Sequence, residues 1–255
     1  MAKVLSNRQL SPDFYLLEAE FSAGDTAVGD KAGGGASGSV TAIRAGQFCM
    51  LRSWDSVLVL SRPISVFDAQ GDRVSFLYKT VGRGTAIFSR LKPCDSITVQ
   101  GPMGKGFPDR AGRIAMVGGG AGIAPLYLAA KQRRGAQAPG SRVDLYLGFS
   151  GTAFLTEEYR NLSDRLIVNV GGLITDEIDP ALYDSIFTCG PEIMMRVLWK
   201  KCKSAGAGDR LFVSLESRMA CGVGACYGCS RKTVNGNKKV CRDGPVFPAA
   251  EVFGP

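Results

Sequence analysis

The sequence predicts an α+β chain in three parts: an N-terminal antiparallel β-barrel over residues 1–110, a central α/β unit with a parallel five-stranded sheet over 111–216, and a small C-terminal module over 217–255. Three observations predict it. Short β-rich runs separated by turn signals fill the first part, and strands alternating with helical stretches fill the second. The third has little periodicity, as a module organised by something other than an apolar core would, and crowds together Cys221, Cys226, Cys229 and Cys241, four of the chain's eight cysteines. A length of 255 residues suits two ordinary domains and an appendage.

In the first part, KVLSNRQL, FYLLEAEF, GQFCMLRS, VSFLYKT and SITVQG are β-rich, most with partial period-two alternation. Between Ser22 and Ser39 lies SAGDTAVGDKAGGGASGS, with six glycines and no aromatic residue. It cannot bury enough apolar surface to offset its ordering entropy and reads as a flexible hairpin insertion, with a functional loop as the alternative. In SRPISVFD, residues Arg62, Pro63, Ile64 and Ser65 set a fixed cation and a hydroxyl at the end of a strand. Gly82, Gly84 and Thr85 then open the apolar-periodic segment AIFSRL. A helix start behind glycines suits a phosphate or pyrophosphate; an Arg-Pro turn before an ordinary capped helix reads the same residues without a ligand.

In the second part, RIAMV, RVDLYLGF, LIVNV, SIFTCG and RLFVSLE read as five strands. IAPLYLAAKQRR is an amphipathic helix, and in PEIMMRVLWKKCKSAG residues Ile193, Val197 and Leu198 share a face. The alternation predicts right-handed crossovers and ligands at the carboxyl ends of the strands. VGGGAGIAPLYLAA is a strand–glycine–helix loop in which Gly120 and Gly122 fit two places of a dinucleotide fingerprint. Pro125 takes the third, and no acid stands where an NAD ribose is bound; a packed βα turn is the alternative. TCGPEIMM puts Cys189 at a strand end, either beside a ligand or as a buried free thiol.

Composition excludes several classes. There is no histidine, so a Ser-His-Asp or Cys-His triad and any His-containing zinc or haem site are ruled out. The apolar content of 45% is enough to fill real cores. No uncharged apolar stretch of roughly 18 residues occurs, so no bilayer span is expected, and MAKVLSNRQLSPDF lacks the apolar core of a signal peptide. The expectation is a cytoplasmic chain with reduced thiols. The net charge of +8 forms no basic run or basic-aromatic stripe, so nucleic acid is not an expected partner.

The cysteines follow C-x4-C-x2-C-x11-C. A 2Fe–2S cluster needs four thiolates, three from a tight loop and one returning from a distant segment, and this is the plant-type ferredoxin spacing. Gly222, Gly224 and Gly228 suit a loop curled around sulfides. Six Lys or Arg residues and no acid lie between Arg218 and Arg242, and cations stabilise a reduced anionic cluster. Structural zinc prefers two C-x2-C knuckles, of which one is present, and disulfides do not suit a reducing compartment. Arg231, Lys232, Lys238 and Lys239 are candidates for docking a partner, or a solvated basic surface.

RPIS at Arg62, GRGT at Gly82, GPMGKGF at Gly101, GGGAGIAPL at Gly118, CGPEIMM at Cys189 and ACGVGACYGC at Ala220 run in one order. Together they resemble the electron-transfer subunits of NAD-dependent dihydroorotate dehydrogenase, in the ferredoxin–NADP reductase superfamily, from about Val4 to Phe247. The resemblance implies FAD on the barrel: Arg62, Pro63, Ile64 and Ser65 would hold the flavin and its phosphates. Leu77, Tyr78 and Lys79 would border the ribityl and adenine portions, and Gly84 and Thr85 the pyrophosphate. NAD(H) would bind through Gly118, Gly119, Gly120, Ala121 and Gly122 and through Cys189, Gly190 and Pro191, with Cys189 the catalytic candidate beside the nicotinamide. The implied partner is an FMN-carrying dihydroorotate dehydrogenase catalytic subunit in a heterotetramer, serving pyrimidine biosynthesis. No side chain reads as a base for deprotonating dihydroorotate, so none is expected to be oxidised by this chain alone. Two rivals stay open: a flavin and iron–sulfur subunit of a hydrogenase, sulfur-reductase or bifurcating complex, and a zinc-stabilised binding module without catalysis.

Overall fold

A period of two in burial builds the barrel. In strand β2 (Phe14–Phe21), Leu17, Ala19 and Phe21 are buried and Glu18 and Glu20 between them half-exposed, as one packed face requires. The structure, a computed structural model, describes residues 1–21, 43–53, 60–136 and 140–254; the insertion read at 22–39 lies outside the described residues. The strands β1 (Ala2–Ser11), β2, β3 (Phe48–Arg52), β4 (Arg62–Gln70), β5 (Arg73–Lys79) and β6 (Ser96–Met103) close in the order β1-β2-β5-β4-β3-β6. Five of the six were expected. The sixth, β4, was read only as a strand end, because Pro63 removes a ladder donor and argues against a central strand. A short helix α1 (Arg83–Phe88) follows β5.

The second sheet runs β14-β11-β10-β7-β8-β9. Its five parallel strands are the expected ones: β7 (Arg113–Gly119), β8 (Arg142–Phe149), β9 (Arg165–Val170), β10 (Ser185–Cys189) and β11 (Leu211–Ser214). Helices α2 (Ala124–Ala136), α3 (Thr156–Arg160) and α4 (Glu192–Ser204) intervene. The amino ends of the strands are fixed by a buried network. Asp144, 2% exposed, accepts from Arg113 at 2.6 Å and from the Tyr183 hydroxyl at 2.8 Å, and Tyr183 in turn meets Tyr146 at 2.6 Å. A buried carboxylate persists only with such partners.

Two expectations are corrected. The apolar face of α4 is Met195, Leu198 and Cys202, all buried, whereas Ile193 and Val197 are exposed; the latter pair, four residues apart, faces a cleft described below. The C-terminal segment also has an apolar core, shared with its neighbours: Met219, Val240, Phe247 and Val252 join Phe48, Met50, Leu211 and Val213 in one cluster. Its hairpin β12 (Ser230–Thr233) and β13 (Gly236–Lys239) precedes α5 (Val240–Asp243), β14 (Val246–Pro248) and α6 (Ala249–Phe253). Strand β14 pairs antiparallel with β11, adding a sixth strand to the sheet. Helix α2 holds the barrel to the sheet: Phe67 stacks on Tyr127 at 4.2 Å, and Lys131 meets Asp68 at 2.7 Å.

Candidate functional site

On the barrel, β4 and β5 are paired only from Val66 opposite Phe76 to Gln70 opposite Arg73. Beyond Val66 they part, so that Arg62–Ser65 keeps only its β3 partners and Leu77–Lys79 only its β2 partners. The facing backbone edges are a slot with polar groups to satisfy. Over one end lies the Arg62 guanidinium: a Cβ on Gly84 would stand 2.3 Å from its Nε. Arg62 also donates to the Leu60 carbonyl. In β3–β4 register, Ser65 opposes Phe48 and Pro63 opposes Met50. Cross-strand partners project on the same side, so Pro63 and Ser65 share the face of Phe48 and Met50, away from the barrel interior.

The neighbouring residues are divided in role. The Tyr78 ring is buried and its hydroxyl donates to Asn7 at 3.1 Å, and Leu77 is also buried; both leave backbone rather than side chain to the slot. Burial raises the Tyr78 pKa despite the Asn7 bond. Lys79 is exposed and paired with Asp13 at 3.0 Å. The Thr85 hydroxyl is taken up in the cap of α1, accepting from Val81 and Gly82. Helix α1 has only six residues, and Arg62 brings a full positive charge against Gly84 in its first turn.

At the carboxyl ends of the parallel strands lies a cleft of about 820 Å³, reached by Gly119, Gly120 and Ala121, by Gly190 and Pro191, and by Lys79 from the barrel side. Gly118 and Gly122 serve packing instead. A Cβ on Gly122 would stand 2.2 Å from the Cys189 carbonyl oxygen, and one on Gly118 2.9 Å from Leu126. Cys189 is 2% exposed and sits behind the cleft wall. Burial above all, and then the Glu216 charge, keep its thiol well above the usual pKa, against hydrogen bonds with Ser214 and Gly190. It is neutral and suited to packing beside a ring. Glu216 is a residue the sequence reading missed: it follows β11 and reaches the cleft, whose walls desolvate its carboxyl and raise its pKa. Its signal was available, as an acid just past the carboxyl end of a parallel strand. Ile193, Val197 and Leu173 form an apolar lip.

The four C-terminal cysteines form two pairs. The Cys226 amide donates to Cys221 Sγ at 3.4 Å, and the Cys241 amide to Cys229 Sγ at 3.4 Å. Gly228 donates to Cys226 Sγ at 3.5 Å. Burial raises the Cys221 thiol, but hydrogen bonds from the Cys226, Val223 and Ala225 amides and the Cys226 thiol outweigh it and bring it to about 6. Burial, then the Cys229 thiol, push Cys241 up to about 12. Among the described residues no three His, Cys, Asp or Glu side chains are spaced to hold a single metal ion. Two thiol pairs served by loop amides fit a binuclear iron–sulfur centre, which takes two thiolates per iron and amide donors to its sulfurs.

Of the four basic docking candidates, Arg231 is corrected. Its guanidinium grips Glu192 at 2.6 and 2.8 Å, and Arg196 meets the same carboxylate at 2.7 Å, tying β12 to the start of α4. The Arg231 bond above all, with Arg196 behind it, holds Glu192 at about 2, against the desolvation that opposes ionisation. A carboxyl lowered by folding adds stability above its unfolded value, which is lost as pH falls towards the folded value. Replacing Glu192 by Gln is therefore expected to cost about 0.5–1 kcal/mol near neutrality for so exposed a pair. The gap to the parent should close as pH falls from 4.5 to 2, followed by denaturant titration. Lys232 remains exposed, Lys238 lies 3.8 Å from Glu251, and Lys239 stands over the Tyr227 ring at 4.3 Å.

Comparison with known proteins agrees with this geometry. The family described as the iron-sulfur cluster binding domain of dihydroorotate dehydrogenase B matches residues 216–253. The "Dihydroorotate dehydrogenase B (NAD(+)), electron transfer subunit" of Clostridium acetobutylicum is 39% identical over 83% of this chain and 87% of its own. The protein of the same name from Caldanaerobacter subterraneus subsp. tengcongensis is 33% identical over 99% of this chain and 97% of its own. Among solved structures, an NADH-dependent reduced ferredoxin-NADP oxidoreductase studied for flavin-based electron bifurcation superposes with a TM-score of 0.83 at 26% identity, covering 99% of this chain and 89% of that one. The cytochrome b5 reductase domain of Ulva prolifera nitrate reductase shares the fold, with a TM-score of 0.64 at 17% identity over 83% of this chain and 95% of that one.

Proposed function

The chain belongs to the electron-transfer subunits of dihydroorotate dehydrogenase B (NAD(+)), and we propose that its slot, cleft and cysteine loop are the three stations of that transfer. It is an oxidoreductase subunit of pyrimidine biosynthesis using FAD, a 2Fe–2S cluster and NAD(H), with a dihydroorotate dehydrogenase catalytic subunit as partner. When bound, the flavin supplies the exchange between a hydride and single electrons that nicotinamide and an iron–sulfur centre cannot make directly.

The residues divide the remaining work. The backbone of Arg62–Ser65 and Leu77–Lys79 would hold the flavin, with the Ser65 hydroxyl on the outer face and Arg62 over Gly84 meeting its phosphates. Thr85 would contribute through its amide. Gly119, Gly120 and Ala121 let a dinucleotide approach backbone closely, and Gly190 and Pro191 wall its far side over the neutral Cys189. Glu216 bounds the same cleft. Gly118 and Gly122 would act by keeping the two turns in register. Cys221 with Cys226, and Cys229 with Cys241, would ligate the cluster. These positions fall in three units, 1–110, 111–216 and 217–255.

The observation that carries this reading is the drawing together of four thiols into two pairs inside the segment matched to an iron–sulfur family. The rival zinc module lacks that support. The partner's docking face is assigned to the tip of the loop, where Val223 and Tyr227 are 40% and 64% exposed and Lys239 stands over the Tyr227 ring. The partner would carry FMN and the assembly would be a heterotetramer. No described helix is long and apolar enough to cross a membrane, and the cytoplasm, where thiols stay reduced, is the proposed compartment.

Anaerobically purified protein should contain one flavin and two irons per chain, a stoichiometry of roughly 1:2 set by a binuclear cluster. It should oxidise NADH with artificial acceptors and form no orotate alone; orotate from the isolated chain would refute the division of labour. Arg62→Ala should weaken flavin retention by about 10- to 100-fold, the value of a charged hydrogen bond of about 1.5–3 kcal/mol. Flavin released on gel filtration measures it, and full retention would remove Arg62 from the site.

A further inference from the structure

The cysteine loop packs against the barrel, and Gly222 marks a close contact. Gly222, next to Cys221, is buried, and a Cβ there would stand 2.6 Å from Met103 Sδ and 2.9 Å from Met50 Cγ. Both methionines are themselves buried, at 8% and 1% exposure, and belong to the core that also contains Cys229 and Cys241. Met50 lies on β3 directly opposite Pro63 of β4, and Met103 lies opposite Phe48, whose other partner is Ser65. Gly222 thus meets side chains one strand (Met50) and two strands (Met103) across from Arg62–Ser65 on the same outer face of the barrel. A long unbranched thioether fills such a contact without voids.

We infer that Met50 and Met103 form a seat that holds Gly222, and with it Cys221, against the flavin-bearing strand, and so sets the spacing between the two redox groups. Both are positioning residues, and the seat rests on the flavin reading given above. Gly222 is the matching half. Its φ of +72° allows the loop to turn there, and its missing Cβ allows the methionines to close on it. Gly236, at the turn between β12 and β13, offers a contrast in the same segment. Its φ of +86° carries the same backbone strain for a side chain, but nothing lies within 4 Å of its Cβ position.

The test uses the full chain, purified anaerobically with flavin and cluster and reduced stepwise by NADH. Electron paramagnetic resonance reads the magnetic interaction between the reduced cluster and the one-electron-reduced flavin, which falls as the inverse cube of their separation. Stopped-flow absorbance reads flavin and cluster reduction separately. Gly222→Ala is expected to lose the interaction and to slow reduction of the cluster while reduction of the flavin by NADH keeps its rate. Gly236→Ala is expected to keep both signals. Retention of the interaction in Gly222→Ala, or equal loss in both variants, overturns the seat. Should either glycine variant fail to assemble the cluster, Met50→Ala decides, since it leaves the loop backbone untouched: a weakened interaction supports the seat and an unchanged one overturns it. An interaction missing from the parent protein would instead sink the flavin reading itself.

Discussion

Cys241→Ser is expected to abolish NAD+ reduction driven by dihydroorotate in the assembled complex, while NADH-dependent reduction of an artificial acceptor persists. Cys241 is 1% exposed and is the proposed return ligand, in the pair closed by its own amide donating to Cys229. A serine there keeps the volume but offers a hard, poorly acidic oxygen where a thiolate is required. The cleft proposed for nicotinamide is built from other turns, at Gly119–Ala121 and Gly190–Pro191, and the salt link between the regions runs through Arg231 and Glu192, not through a cysteine. Losing the cluster should therefore remove single-electron traffic and spare hydride transfer. The expected record is no low-temperature resonance signal after dithionite, near-parental flavin content and background coupled turnover. Coupled turnover at the parental rate would mean that electrons bypass these cysteines. Because Cys241 is buried in the shared core, thermal stability should fall as well, so flavin content must be compared at a temperature where both proteins are folded.

How much of this was legible depends on whether a residue's role is local. The cysteine spacing is a local property: three of the proposed ligands lie on one loop, and the glycines that curl it lie between them. The parallel strands were equally plain, since five buried runs alternate with helical segments. What could not be read were consequences of distant partners. β4 begins with an Arg-Pro pair that argues against a strand; Pro63 is tolerated because β5 has moved away there, which is also what opens the slot. Tyr78 occupies a position suggestive of a ligand contact, yet the barrel's inward face claims its ring and Asn7 its hydroxyl. Val246–Pro248 is only three residues long and acquires strand character from β11. Arg231 counted as surface charge until Glu192, far away in sequence, was seen to hold it. In each case the deciding neighbour lies on another element, beyond the reach of any helical or strand period, and no periodicity encodes it.

The glycines of the second domain show the same limit, and one of them carries the other large effect. Gly122→Ala is expected to damage dinucleotide binding and stability together. The added Cβ would stand 2.2 Å from the Cys189 oxygen, 2.3 Å from its carbonyl carbon and 2.4 Å from the Gly190 nitrogen, all backbone atoms that no rotamer change can withdraw. That backbone is pinned in turn: Cys189 is in register with Gly118 of β7, and Thr188 donates to the Val117 carbonyl at 2.9 Å. Relief must come from separating the glycine loop from the Cys189–Pro191 turn, the two walls of the cleft. Overpacking of this kind costs about 1–3 kcal/mol and more when backbone is involved, which lowers Tm by roughly 5–10 °C in a chain of this size. An equal loss in the cleft would raise the dissociation constant for NADH about tenfold or more. Gly135, in α2 with nothing within 4 Å of its Cβ position, is the control, where alanine should stabilise by about 0.4–1 kcal/mol. Cluster content should be unchanged in both variants. Parental NADH affinity in Gly122→Ala would show that the cleft tolerates separation of its walls, and that Gly122 belongs to the packing of the sheet alone.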